Sequence, residues 1–245
     1  MPRRNPPSAV LKLIAAISAL LLAVSAQASG AGSVTHLSGT LAAKRADGST
    51  RLLSIASEIR EGDELTTQRD TYARLKFADG GEIVMRPDTA LQVSSYTYNA
   101  DKPESDNVVL GLLRGGLRAL TGLIGKRNRD AFKVRTTTAT IGIRGTHFGM
   151  LLCADNCSGI PTVTGQPPDN GLHLDVASGA IVVTNSSGQA IFNAGQFGFV
   201  RDNLTLPVVR PPQEAIRVTM PQAISENKSS GAGIGQSNQT QCVVQ

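Results

Sequence analysis

Between Leu65 and Val93 the chain alternates. Thr71, Ala73, Leu75 and Phe77 interleave with Tyr72, Arg74 and Lys76, the period of a strand with one face buried. Asp79-Gly80-Gly81 interrupts with residues that accept the positive φ of a tight turn. Ile83 and Met85 then resume the pattern, with Val84 and Arg86 on the other face, and Pro87-Asp88 turns the chain into a further strand, Ala90 to Val93. The pattern predicts a β-hairpin followed by a third strand.

The same reading extends in both directions. Ser33 to Arg45 is extended and broken by Gly39; Asp47-Gly48 is a hairpin turn, Arg51 to Ile55 returns, and Glu61-Gly62-Asp63 turns again before Leu65. Turns roughly every 8 to 15 residues are the spacing of a sandwich, barrel or solenoid. Tyr96 to Asp106 reads as a polar loop. Leu110 to Ile124 is ambiguous, because its leucines fit a helical stripe while Gly111, Gly115, Gly116 and Gly122 oppose one. Each glycine costs a helix interior about 1 kcal/mol, so the reading leans to strand and leaves helix open. Phe132 to Leu152 is rich in threonine, whose Cβ branching favours extended chain.

Residues 153–171 read as a surface insertion in the body, and 174–200 alternate again. That late stretch echoes 34–65 weakly, with a glycine-interrupted strand, a hairpin turn and a glycine turn into a short strand. Beyond Pro207 the pattern ends, and residues 201–245 read as a tail rich in Pro, Ser, Gly, Asn and Gln, disordered over 225–241. The fold expectation is all-β: a single antiparallel sandwich or solenoid-like domain over residues 33–200.

The N-terminus changes the compartment. Arg3, Arg4 and Lys12 flank a hydrophobic run from Leu13 to Val24, and Ala26-Gln27-Ala28 offers a cleavage point. The run is about a dozen residues, against the roughly 20 that span a bilayer. Residues 1–28 are expected to be a cleaved signal peptide, with the product in the periplasm or secreted and without a transmembrane anchor. Three of the 24 Lys and Arg leave with it, so 21 basic residues face 19 acidic ones and the formal charge falls from +5 to +2. That removes the case for nucleic acid.

Three cysteines remain in an oxidising compartment. Cys153 and Cys157 either close a small loop as a disulfide or stay free, and Cys242 is left over. Candidate chemistry is thin. His36, His147 and His173 show no ligand spacing, and no catalytic, metal or cofactor residue is expected. Lys126, Arg127, Arg129, Lys133 and Arg135 form a basic cluster, read as a solvated tip or as a contact for a polyanion or partner. Gly62, Asp63, Asp79, Gly80 and Gly145 are expected to be structural, as turn residues whose aspartates bond their own backbone. Arg144 is expected to be half-buried against a carboxylate or carbonyl.

Several elements together carry a likeness: Val34…Gly39, Ile59-Arg-Glu-Gly-Asp-Glu-Leu-Thr-Thr67, Ala73-Arg-Leu-Lys-Phe-Ala-Asp-Gly80, Met85-Arg-Pro-Asp-Thr-Ala-Leu91, and Thr140-Ile-Gly-Ile-Arg-Gly-Thr-His-Phe148. Over roughly 34–200 the chain resembles proteins with a FecR domain, the periplasmic module of the iron-citrate signalling regulator. The resemblance implies an all-β domain outside the cytoplasmic membrane. In the founding regulators that domain relays a signal from an outer-membrane transporter to a sigma factor. The expectation here is the stand-alone exported form, a non-catalytic module that binds an envelope protein or cell-wall polymer. Two alternatives stay open: an envelope hydrolase with an unrecognised site, and peptidoglycan or carbohydrate binding.

Overall fold

A computed structural model describes residues 30–160, 162, 165–221 and 224. The proposed leader, Cys242 and the 225–241 stretch lie outside the described residues. In chain order the strands are β1 (Gly32–Leu37), β2 (Leu41–Lys44), β3 (Thr50–Leu53), β4 (Glu58–Ile59), β5 (Glu64–Thr67), β6 (Ala73–Phe77), β7 (Glu82–Met85) and β8 (Ala90–Thr97). They continue as β9 (Asn107–Leu120), β10 (Phe132–Arg135), β11 (Thr140–Ile143), β12 (His147–Cys153), β13 (Gly171–Ser178), β14 (Ala180–Asn185), β15 (Gly188–Asn193), β16 (Phe197–Val200) and β17 (Val208–Arg210). A short helix, α1 (Leu123–Arg127), follows β9.

The strands form two ladders that share β9. The first runs β4-β1-β6-β7-β9-β12-β13-β16-β17. The second runs β3-β2-β5-β8-β9-β10-β11-β14-β15. Residues 107–114 of β9 pair in the second ladder, while residues 115–120 pair in the first. Gly115 marks the changeover at φ +77°, a conformation open to glycine because it lacks Cβ. A Cβ there would lie 2.7 Å from Thr89 Cα. Two of the glycines that argued against a helix over 110–124, Gly115 and Gly116, therefore sit at the junction between ladders, and residues 107–120 are strand.

The antiparallel expectation needs one correction. β10 pairs parallel to β9, Phe132 against Val108 and Arg135 against Gly111. A parallel neighbour requires a crossover, and residues 121–131, with α1, supply it. One hydrophobic cluster joins the facing sides of both ladders. It includes Leu75, Met85, Leu117, Phe148 and Leu174 from the first and Leu41, Leu65, Leu91, Val134 and Ile181 from the second. The echo in the sequence has a counterpart in the path: β1 and β13 lie in the first ladder, and each chain then crosses through Gly39 or Gly179 into a hairpin of the second, β2–β3 or β14–β15.

The segment read as tail contributes structure. β17 extends the first ladder beyond β16. Ile216, Val218, Met220 and Ile224 form a second cluster with Val84, Leu151, Cys153 and Cys157 on the outer side of that ladder. The prolines that ended the alternation, Pro207, Pro211 and Pro212, separate these pieces instead of terminating order.

Candidate functional site

The outer face of the first ladder would ordinarily meet water, and its sequence is polar accordingly: Arg74, Glu82, Arg118, His147, His173 and Asp175. Residues 212–220 lie across part of it as a strap. Ile216, Val218 and Met220 are buried, while Arg217 and Thr219 face outward. Residues 212–219 make no backbone-to-backbone hydrogen bond to the sheet among the described residues. Side chains hold them instead. Arg118 Nη1 donates to the Val218 carbonyl at 2.8 Å, and Arg86 Nη1 donates to the Thr219 carbonyl at 2.8 Å. Gly149 makes the close approach possible, since a Cβ there would clash with Asp175 Oδ1 and lie 2.7 Å from Val218 Cβ.

Beneath the strap, Arg118 is 3% exposed. Its Nη1 reaches Asp175 Oδ2 at 2.8 Å and its Nε donates to His147 Nε2 at 3.1 Å. Burial, with the Arg118 charge adding to it, pushes the His147 imidazole down from 6.5 to about 4. The ring is neutral, and its Nε2 lone pair is engaged by the guanidinium. Burial pushes the Asp175 carboxyl up from its ordinary value, with Arg118 pulling the other way. His173, lowered by burial, has Nε2 2.8 Å from the Asp169 carbonyl and packs on Phe199. These groups serve one another. A cavity of about 460 Å³ opens beside the strap, lined by Arg86, Phe197, Arg217 and Thr219 among others.

The expected site residues fall in three places. Cys153 and Cys157 are joined by a disulfide, S–S 2.07 Å, buried under the strap. The Cys157 sulfur is thus bonded and distinct from the His147 cluster. The basic cluster divides. Arg127 is tied down by Asp106 at 2.6 Å, by the carbonyls of Asn99 and Ala100, and over the Tyr98 ring. Lys126, Arg129, Lys133 and Arg135 are exposed. Lys133 and Arg135 share the outward side of β10, between the buried Phe132 and Val134.

The turn residues form the third group. Asp63 is fully buried; it accepts from the Arg60 amide, from Arg51 Nη2 at 2.6 Å and from Arg45 Nε at 3.4 Å. Asp79 accepts from the Gly81 and Ile124 amides and from the Tyr96 hydroxyl. Gly62, Gly80 and Gly145 have φ of +84°, +80° and +65°. Arg144 is a correction. It is exposed at the turn between β11 and β12, while the buried arginines are Arg74 and Arg118. A solvated guanidinium at a turn needs no carboxylate. Among the described residues, no three His, Cys, Asp or Glu side chains converge in a way that would hold a metal.

Comparison with known families matches residues 63–181 to the family described as "FecR protein". The chain thus carries a FecR-like region over just under half of its length. Its FecR region begins at the buried Asp63 and ends at Ile181 in β14, so it takes in β9, both buried arginines and the disulfide. No curated protein matches the chain. Among solved structures, two crystal structures of a protein described as a "putative anti-sigma factor" from Parabacteroides distasonis are similar over part of the chain. Each has 13% identity and a TM-score of 0.46, covering 63% of this chain and 62% of that one. The motif residues of the FecR region are spent on the fold. Thr67 Oγ1 donates to the Arg86 carbonyl, the Thr146 amide donates to Thr121 Oγ1, and Thr146 Oγ1 donates to the Ala180 carbonyl.

Proposed function

We propose that this FecR-domain chain is a non-catalytic, exported β-sandwich module that binds a protein partner in the cell envelope and takes part in envelope signalling. Residues 1–28 act as its cleaved leader. The observation that carries the reading is the free edge at β17. Among the described residues β17 pairs only with β16. Val208 and Val209 are 46% and 56% exposed, and Leu204 and Leu206 just before them are 79% and 53% exposed. A strand with one open edge and apolar neighbours is a template for strand addition by another chain, and such a concentration of apolar surface marks an interaction site. A photo-crosslinking residue at position 209 should give a discrete adduct in intact envelopes, and one at Lys44, on a different strand, should not. Recovery of the uncrosslinked chain alone across growth conditions would refute the reading.

A second reading has its own observation. Lys126, Arg129, Lys133 and Arg135 are exposed close together along the chain, and clustered cations focus potential toward a polyanion such as an acidic wall polymer. Salt-sensitive sedimentation with purified wall, lost in Lys133→Glu/Arg135→Glu, would favour it.

A further inference from the structure

We infer that the groove on the outer face of the first ladder is a peptide-recognition site, occupied in this structure by the chain's own residues 212–220 as a replaceable ligand. The occupant it is built for is an extended segment of a partner protein, with apolar side chains two residues apart and backbone carbonyls facing Arg86 and Arg118. The inference rests on the reading that the chain binds a protein, and it names where.

Three observations carry it. First, the strap is bound as a peptide in a groove and not as a strand in a sheet. Its alternate side chains Ile216, Val218 and Met220 pack on Val84, Leu151, Cys153 and Cys157, and residues 212–219 add no backbone ladder to the sheet among the described residues. Second, the groove grips carbonyls that any extended chain carries. Arg118 and Arg86 donate to consecutive carbonyls, those of Val218 and Thr219. Charge-assisted bonds to backbone fix the register without reading side-chain identity. Third, the strap is tethered through Pro211-Pro212 directly after the open edge strand β17. The site and the free edge are contiguous, so a partner pairing with β17 arrives beside the groove.

A tethered ligand competes at the millimolar effective concentrations of a short linker. Removing its apolar side chains therefore unmasks the site. The test uses the full chain and a fluorescent synthetic peptide spanning residues 211–224. The chain carrying Ile216→Asp and Met220→Asp should bind this peptide about tenfold or more tightly than the unaltered chain does. Adding Arg86→Met should reduce that binding about tenfold, a loss that indiscriminate apolar adhesion would not show. If the doubly substituted chain keeps its β spectrum and fails to bind the peptide, the inference is wrong.

Hydrogen exchange on the unaltered chain decides independently. Residues 212–220 should open at lower free energy than β12 and β13. Opening only together with those strands would make the strap part of the core and overturn the inference. Neither arm depends on the position-209 crosslink, so partner binding at β17 and peptide exchange in the groove can fail separately.

Discussion

At the scale of residues, Arg118 and Arg144 mark how far local sequence reaches. Both sit among apolar or small neighbours in strand-like stretches. Arg118 is buried because Val218, a hundred positions later, arrives over it and accepts its hydrogen bond. In strand β9, between the inward Leu117 and Ala119, Arg118 lies on the outward face; which outward faces become covered is decided by distant chain. Asp63 and Asp79 were readable because aspartate at a glycine turn has a local task, and both do it. His147 yields a prediction. Its folded value of about 4 lies below the ordinary 6.5, so between these values the unfolded chain binds a proton that the native chain refuses. Its contribution is complete above 6.5 and is lost as pH falls toward 4. Allowing for the ring's partial exposure, that amounts to about 2 kcal/mol. Urea midpoints should therefore fall on acidification more steeply for the unaltered chain than for His147→Gln. A residual slope from His173, also lowered by burial, is expected in both. Equal slopes would mean that burial beside Arg118 does not hold the ring neutral.

At the scale of elements, the sequence pattern placed strands at β1 to β3, β5 to β8 and β13 to β16, and it placed none at β4, whose two residues are too few to alternate. It left 110–124 open for a physical reason: leucine spacing supports both periods, and only the glycines discriminate. It missed α1 and the parallel β9–β10 pair, since a five-residue helix has too few turns to show a period. It missed β17 and the strap because proline was read as an end to structure. Gly115 is where the element-level claim can be tested. Ala there would have to adopt φ +77° and press its Cβ against Thr89. Gly48 has φ +83° with nothing near its missing Cβ. Gly48→Ala should cost only the left-handed penalty, about 1 kcal/mol. Gly115→Ala should cost about 3 kcal/mol or more, because clash is added and the junction of the ladders must shift. Thermal melts of the two variants, side by side, measure the difference. Equal losses would show that the close packing against Thr89 is unimportant.

At the scale of the whole molecule, the two ladders cannot separate without opening each other's core. They share β9 covalently, and a single hydrophobic cluster takes residues from both, from Ala31 to Val200. Peeling β10, β11, β14 and β15 away would expose Phe148 and Leu174 of the opposite ladder as well as Val134 and Ile181. Burying one Leu or Phe side chain is worth about 1.5–3 kcal/mol, so a half-unfolded body carries several such losses with little of the conformational entropy returned. The body over 30–200 should therefore unfold in one transition despite its length. The chain has no tryptophan, which leaves tyrosine fluorescence as a local probe: Tyr96 stacks on Phe77 across the ladders, and its hydroxyl bonds Asp79. Far-UV circular dichroism reports strand content everywhere. In urea the two signals should trace coincident curves with one midpoint. If tyrosine fluorescence moved at a lower concentration than the strand signal, the ladders would be separate cooperative units and the common core would not bind them into one. The strap should be the exception to this unity, loosening first, since packing on the outer face of the first ladder leaves the shared core intact when it departs.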